Sequence, residues 1–189
     1  MTTPREALQR AGIDVNALIG HLTSAAKAEL SAVYRYTILA AHSIGFADEG
    51  LREILRDIRD EDRNHFDTLV TRICELGGRL PEDIQSFLQH EDEPKGSIFA
   101  DWDNLPEALI GSVQEAAHSY SGLRHLTEAK DLRTHAMVQA IHNEKTEHVA
   151  WLREFFGLGP PGRFHRGFRG RSPSLAGLYD DEQGTRPLP

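Results

Sequence analysis

Two short spacings in this chain put an acid and an imidazole on one side of a helix: Asp62 with His65, and Glu144 with His148. Residues three or four apart on a helix lie one above the other. Each pair can therefore aim a carboxylate oxygen and a ring nitrogen at one point in space. Such donors suit iron, manganese or zinc better than copper(I). Around "EILRDIRDEDRNHFDTLVTRICELGG" the apolar residues Leu51, Leu55, Ile58, Leu69, Ile73 and Leu76 form a helical stripe. Steps of three and four across its gap pass through Asp62 and His65, where leucines belong. Glu29 interrupts a stripe of Leu18, Leu22, Ala25, Val33, Tyr36 and Ala40 in the same way, and His148 one of Val138, Ile141, Leu152 and Phe155. A carboxylate buried without a partner is strongly destabilising, so each of these acids needs a cation or a hydrogen-bonded neighbour. Metal ligation and simple hydrogen bonding in the core both satisfy that demand.

The elements that carry these residues are helices. No β-branched alternation of useful length and no Asn-Gly or Asp-Gly hairpin turn occurs, whereas helical periodicity runs almost throughout. The spacing predicts a first long helix over 15–43, ended by "GFADEG", and a second over 51–76, stopped by a glycine pair. A long connection follows, with a short helix around 81–89. The third long helix begins at "LPEALIGSVQEAAHSYSGLRHL", where Pro106 suits the first turn. The fourth covers 132–156. Two short connections and one long crossover between the second and third long helices give an all-α, ferritin-like four-helix bundle. Bundles of that class place an acid on each of two helices and an acid-x-x-His pair on each of the others.

Composition narrows the function. Hydrophobic residues make up 39% and charged residues 26%, ordinary for a globular domain, and no apolar run is long enough to cross a membrane. The single cysteine, Cys74, excludes an internal disulfide framework and fits a reducing cytoplasm; it reads as a small buried filler. No secretory signal is visible. There is no Gly-rich phosphate loop and no nucleophile elbow, and Cys74 has no basic neighbourhood. The net charge of −8 argues against general attraction to nucleic acid. The segment 163–171 is the exception: Arg163, Arg166, Arg169 and Arg171 interleave with Phe164 and Phe168, a composition able to hold phosphates and stack on bases. The bundle is expected over 1–157, with 158–189 a Gly/Pro/Arg-rich tail whose basic stretch either contacts DNA or packs on a neighbouring subunit.

Three stretches, "AELSAVYRYTILAAHSIGFADEG", "EDRNHFDTLVTRICELGGRLPEDI" and "NEKTEHVAWLREFFGLGPPGRF", resemble the Dps-like ferritins, a branch between bacterioferritin and the Dps mini-ferritins. The resemblance covers about residues 20–165. It implies a subunit that self-associates into a hollow cage, often a dodecamer. It also implies iron(II) oxidation by hydrogen peroxide at an intra-subunit di-iron site, storage of the ferric product and protection from oxidative stress. The ligands it implies are Glu29, the acid and His65 of the second long helix (Asp62, with Glu61 beside it), Glu115 of the third, and Glu144 and His148 of the fourth. Tyr36, two turns after Glu29, becomes the candidate catalytic side chain behind the ligands, or else an ordinary core aromatic.

The chain departs from that family in places that matter. The family has two consecutive acids before the last histidine, but here they are Glu144 and Lys145. Lys145 continues the stripe of Ile141, His148 and Leu152. It either points into the site, pairing with Glu29 or Asp62 in place of a metal, or reaches outward and leaves Glu144 as ligand. In the third long helix Glu115 matches the first family acid, while Ala117 replaces the second. Glu115 and His118 lie off the stripe of Leu109, Ala116, Tyr120 and Leu123. The branch's cysteine pair is missing, with Ser119 where one member would fall. Two functions follow: an iron-oxidising mini-ferritin, or a degenerate ferritin-like subunit with Lys145 in the metal position and a structural or DNA-binding role. Another di-iron oxygenase on the same fold also fits the helices.

Overall fold

A computed structural model of the chain describes residues 3–42, 49–88 and 104–160. Among these residues are six helices: α1 (Pro4–Arg10), α2 (Val15–His42), α3 (Glu49–Glu75), α4 (Ile84–Leu88), α5 (Leu105–Thr127) and α6 (Leu132–Phe155). No strand occurs among the described residues. The long helices start and stop where local chemistry directs. Asp14 accepts from the backbone N–H groups of Asn16 and Ala17, capping α2. Asp131 accepts from the N–H of Thr134 and caps α6, and Pro106 sits in the first turn of α5. At the end of α3, Gly77 takes φ +77, and the N–H groups of Gly77 and Gly78 reach the carbonyls of Cys74 and Ile73, both at 2.9 Å, a Schellman closure.

Helix α1 is an element the periodicity missed. Seven residues are too few for a hydrophobic stripe, but Thr3 and Glu6 form a capping box that was present in the sequence. Cys74 is a correction: it is exposed rather than a buried filler, because it follows Ile73 by about 100° around α3 and so leaves the core face.

Helices α2 and α3 form one packed pair and α5 and α6 the other, and α3–α6 and α2–α5 contacts join the two pairs into the bundle. The core falls into two apolar blocks. Leu18, Leu22, Leu69, Ile73, Tyr120 and Ile141 belong to one, and Tyr36, Leu39, Leu55, Ile58, Leu109 and Leu152 to the other. Along α2, α3 and α6 the residues between those blocks are the polar ones. Glu29 lies between Leu22 and Tyr36, Asp62 and His65 between Ile58 and Leu69, and Glu144, Lys145 and His148 between Ile141 and Leu152; all six are buried. The bundle is thus a sandwich of apolar, ionisable and apolar layers along its own axis.

Candidate metal centre

The middle layer is drawn together around Asp62, which is fully buried. The Lys145 ammonium donates to Asp62 Oδ1 at 2.6 Å and to Glu29 Oε2 at 2.8 Å. Of the two directions open to Lys145, the structure takes the inward one. Tyr120 closes the other side of Glu29, its hydroxyl donating to Oε1 at 2.6 Å. The sequence showed Tyr120 only as an aromatic on the α5 stripe.

Both imidazoles are turned the same way. His65 presents Nε2 to Glu144 Oε2 at 2.7 Å, and its Nδ1 faces Glu29 Oε2 at 3.4 Å and Asp62 Oδ1 at 3.5 Å. His148 presents Nε2 to Glu61 Oε2 at 2.7 Å, with Nδ1 facing Asp62 Oδ1 at 3.9 Å. Each ring has its outer nitrogen held by a carboxylate from the other helix and its inner nitrogen aimed at Asp62. Carboxylate orientation of the far ring nitrogen is the usual support of a metal-ligating histidine. Of Glu61 and Asp62, it is Asp62 that faces the centre of the layer, while Glu61 lies against Nε2 of His148. Glu144 likewise lies against the outer nitrogen of His65. Two buried atoms in this layer have no hydrogen-bond partner, Asp62 Oδ2 and His148 Nδ1.

The protonation states follow from burial and charge. Burial raises the Glu29 carboxyl, but the Lys145 charge and the His65 hydrogen bond outweigh it and hold the group down to about 2. Burial works against the Lys145 ammonium, yet the charges of Asp62 and Glu29 keep it above its ordinary value. For His65 burial is again opposed, here by bonds to Asp62, Glu144 and Glu29, and the ring is pushed well above the usual imidazole range. His148 goes the other way, held down to about 3 chiefly by burial, with the Lys145 and His65 charges adding to it against the pull of Asp62. His148 is therefore neutral. Because Glu61 accepts from its Nε2–H, the lone pair sits on Nδ1. Burial and then the Glu29 carboxylate raise the Tyr120 hydroxyl far above the usual phenol range, which keeps it a neutral donor.

The remaining candidates separate. Tyr36 is buried beside this layer, its hydroxyl bonded to Ser112 and pushed up to about 12 by burial and the Asp62 charge. Glu115 and His118 are exposed on α5 and are not brought to the cluster. The basic stretch 163–171 and the tail from 161 onward lie outside the described residues. No described helix is long and apolar enough to cross a membrane. By distance alone, Glu29, Asp62 and His65 could share one ion, each offering an atom within 4.8 Å of the others. The carboxylate and imidazole donors have the right chemistry for a divalent transition metal, and the two unpartnered atoms provide lone pairs with nothing to bind.

Comparison with known proteins identifies the family. Residues 19–160 match the ferritin-like domain. The chain therefore belongs to the ferritin family. Its Dps-like character comes from a relative in Pyrococcus furiosus, a DNA protection during starvation protein, 40% identical over 180 residues that span 91% of this chain and 94% of the relative. Among solved structures, a dodecameric thioferritin, the bacterioferritin-related protein of Bacteroides fragilis, is 25% identical with a TM-score of 0.70. It covers 80% of this chain and 90% of its own. A bacterioferritin from Rhodobacter capsulatus, 22% identical over 78% of this chain and 91% of its own with a TM-score of 0.56, shares the fold.

Proposed function

We propose that this chain is a cage-forming mini-ferritin that takes iron(II) as its substrate at the buried layer, oxidises it with hydrogen peroxide and stores the ferric product. The observation that carries this reading is the orientation of His65 and His148, both with the outer nitrogen fixed by a carboxylate and the inner one aimed at Asp62. A hydrogen-bonded core histidine has no need of that matched geometry, whereas a ligand does. Asp62 and His148 offer hard oxygen and borderline nitrogen to the incoming ion, His65 adds its inner nitrogen once the proton there is released, and the apolar blocks on either side keep bulk water out. Peroxide takes two electrons, one from each of two iron(II) ions; its O–O bond breaks, and two protons complete two waters. Assembly into a hollow shell follows the dodecameric relative from Bacteroides fragilis. The work of such a shell belongs in a reducing cytoplasm, where removing iron(II) and peroxide together limits oxidative damage. That protection needs no direct hold on DNA, and contact through 163–171 has no support among the described residues.

A second reading has its own observation. Lys145 already makes ion pairs with Glu29 and Asp62, as expected of a retired centre that keeps the fold but not the metal. Stopped-flow mixing of iron(II)-loaded protein with peroxide, followed by gel filtration, separates the two. The first reading expects two iron(II) ions oxidised per peroxide, faster than in buffer, with ferric iron eluting in a high-mass assembly. Oxidation no faster than in buffer, restored in Lys145→Glu, would establish the second.

A further inference from the structure

The geometry points to a centre that holds one divalent ion per chain, between Asp62 and His148, with the Lys145 ammonium fixed in place of a second. This rests on the reading that the buried layer binds iron, and it differs from the di-iron centre that the family resemblance implies; the two electrons that one peroxide takes then come from two ions oxidised at separate chains. The position among Glu29, Asp62 and His65, whose donor atoms lie within 4.8 Å of one another, is already filled by a cation. Lys145 Nζ bridges Glu29 Oε2 and Asp62 Oδ1. Tyr120 occupies Glu29 Oε1, so neither oxygen of Glu29 is left without a partner. The other side of Asp62 is the reverse. Its Oδ2 and His148 Nδ1 are both buried and both without a hydrogen-bond partner. An ion placed there would satisfy both atoms, and nothing else in the described layer does.

Fixed charge also weighs against a second ion: the Lys145 ammonium already supplies one positive charge to the buried carboxylates Glu29, Glu61, Asp62 and Glu144. On α5 no acid is available to offset a second ion: the residues of that helix buried in the core are apolar apart from Tyr120 and Thr127, and Glu115 is exposed.

Cobalt(II) tests this without reliance on turnover. The iron-free full-length protein is loaded with cobalt(II) and desalted, and bound metal is counted alongside visible absorption and electron paramagnetic resonance. One cobalt per chain with the signal of an isolated ion, lost in His148→Ala while the helical circular dichroism remains, is the expected result. Two cobalt ions with an exchange-coupled signal in the unaltered chain would overturn the single-ion centre and leave the iron reading standing. One ion retained in His148→Ala would place it at Glu29 and His65 instead, and would also overturn the inference. No cobalt in the unaltered chain would overturn both this inference and the iron reading. Lys145→Glu is expected to raise the count to two; a well-folded Lys145→Glu that still takes a single ion would count against the role assigned to the ammonium.

Discussion

Replacing Lys145 by methionine removes the ammonium while keeping most of the stem's volume, and it tests how the ionisable layer is held in the absence of metal. Two buried carboxylates, Glu29 and Asp62, lose a donor at 2.8 and 2.6 Å. Deleting one partner of a buried ion pair costs about 3–5 kcal/mol, because the charge left behind is uncompensated. The depression of Glu29 from 4.5 to about 2 gives a similar scale, since each pKa unit is about 1.4 kcal/mol. Domains of this size are stable by about 5–15 kcal/mol, so the metal-free variant should retain a folded state with a much lower urea midpoint. The sign with pH is fixed. A carboxyl depressed in the folded state contributes stability that is fully present above 4.5 and lost as pH falls toward about 2. The gap between the unaltered chain and Lys145→Met should therefore be widest near neutrality and shrink across that acid range. Urea titrations in chelator at several pH values measure it. A loss below about 1 kcal/mol at pH 7, the size typical of an exposed pair, would refute the claim that Lys145 is the counter-ion of the layer.

Three further outcomes follow from other contacts. Metal-free stability should peak near pH 6.5. Below it the unfolded chain takes up a proton that His148, held down to about 3, refuses, so stability falls by about 1.4 kcal/mol per pH unit. Above it, the proton that folded His65 keeps and the unfolded chain releases makes stability fall as pH rises; a urea midpoint that climbs steadily from pH 5 to 8 would contradict this. Arg72→Met should cost about 3–5 kcal/mol, because the buried guanidinium donates to both oxygens of Asp131 at 2.9 and 3.1 Å, to Thr134 at 2.7 Å and to Glu75 at 2.8 Å. Thermal unfolding should show that loss with the cobalt count unchanged. Tyr120→Phe should cost about 1–3 kcal/mol by leaving Glu29 Oε1 without its donor, and a double-mutant cycle with Glu29→Gln should recover most of it.

What the sequence could reveal was whatever periodicity encodes. Glu29, Asp62, His65 and His148 stood out because each breaks an apolar stripe, and all four are buried in one layer. Glu115 could be doubted on the same ground, since it lies off its stripe, and it is exposed. Periodicity fixes a residue's face on its own helix but not its height against a neighbouring helix. The cross-pairing of Glu144 with His65 and of Glu61 with His148 was therefore invisible, as was the reach of Tyr120 to Glu29 from α5. Arg72 was missed for a different reason. A single arginine on a polar-rich helix reads as a solvated charge, and only its buried position between Asp131 and Glu75 shows otherwise. Lys145 was legible in position but not in direction, because a four-carbon stem can carry its charge either way.

The direction Lys145 takes changes what the layer demands of its surroundings. A bundle core holding four carboxylates and no fixed cation would need metal or protons before its helices could close, tying folding to metal supply. An ammonium on α6, bonded to Glu29 of α2 and Asp62 of α3, supplies part of that compensation from within the chain. It joins three of the four long helices at the point where apolar packing is interrupted. The same contact takes up the lone pairs that a second ion would use. Folding without metal and binding two metals thus compete for one position, and in this chain the side chain that fills it is covalently attached.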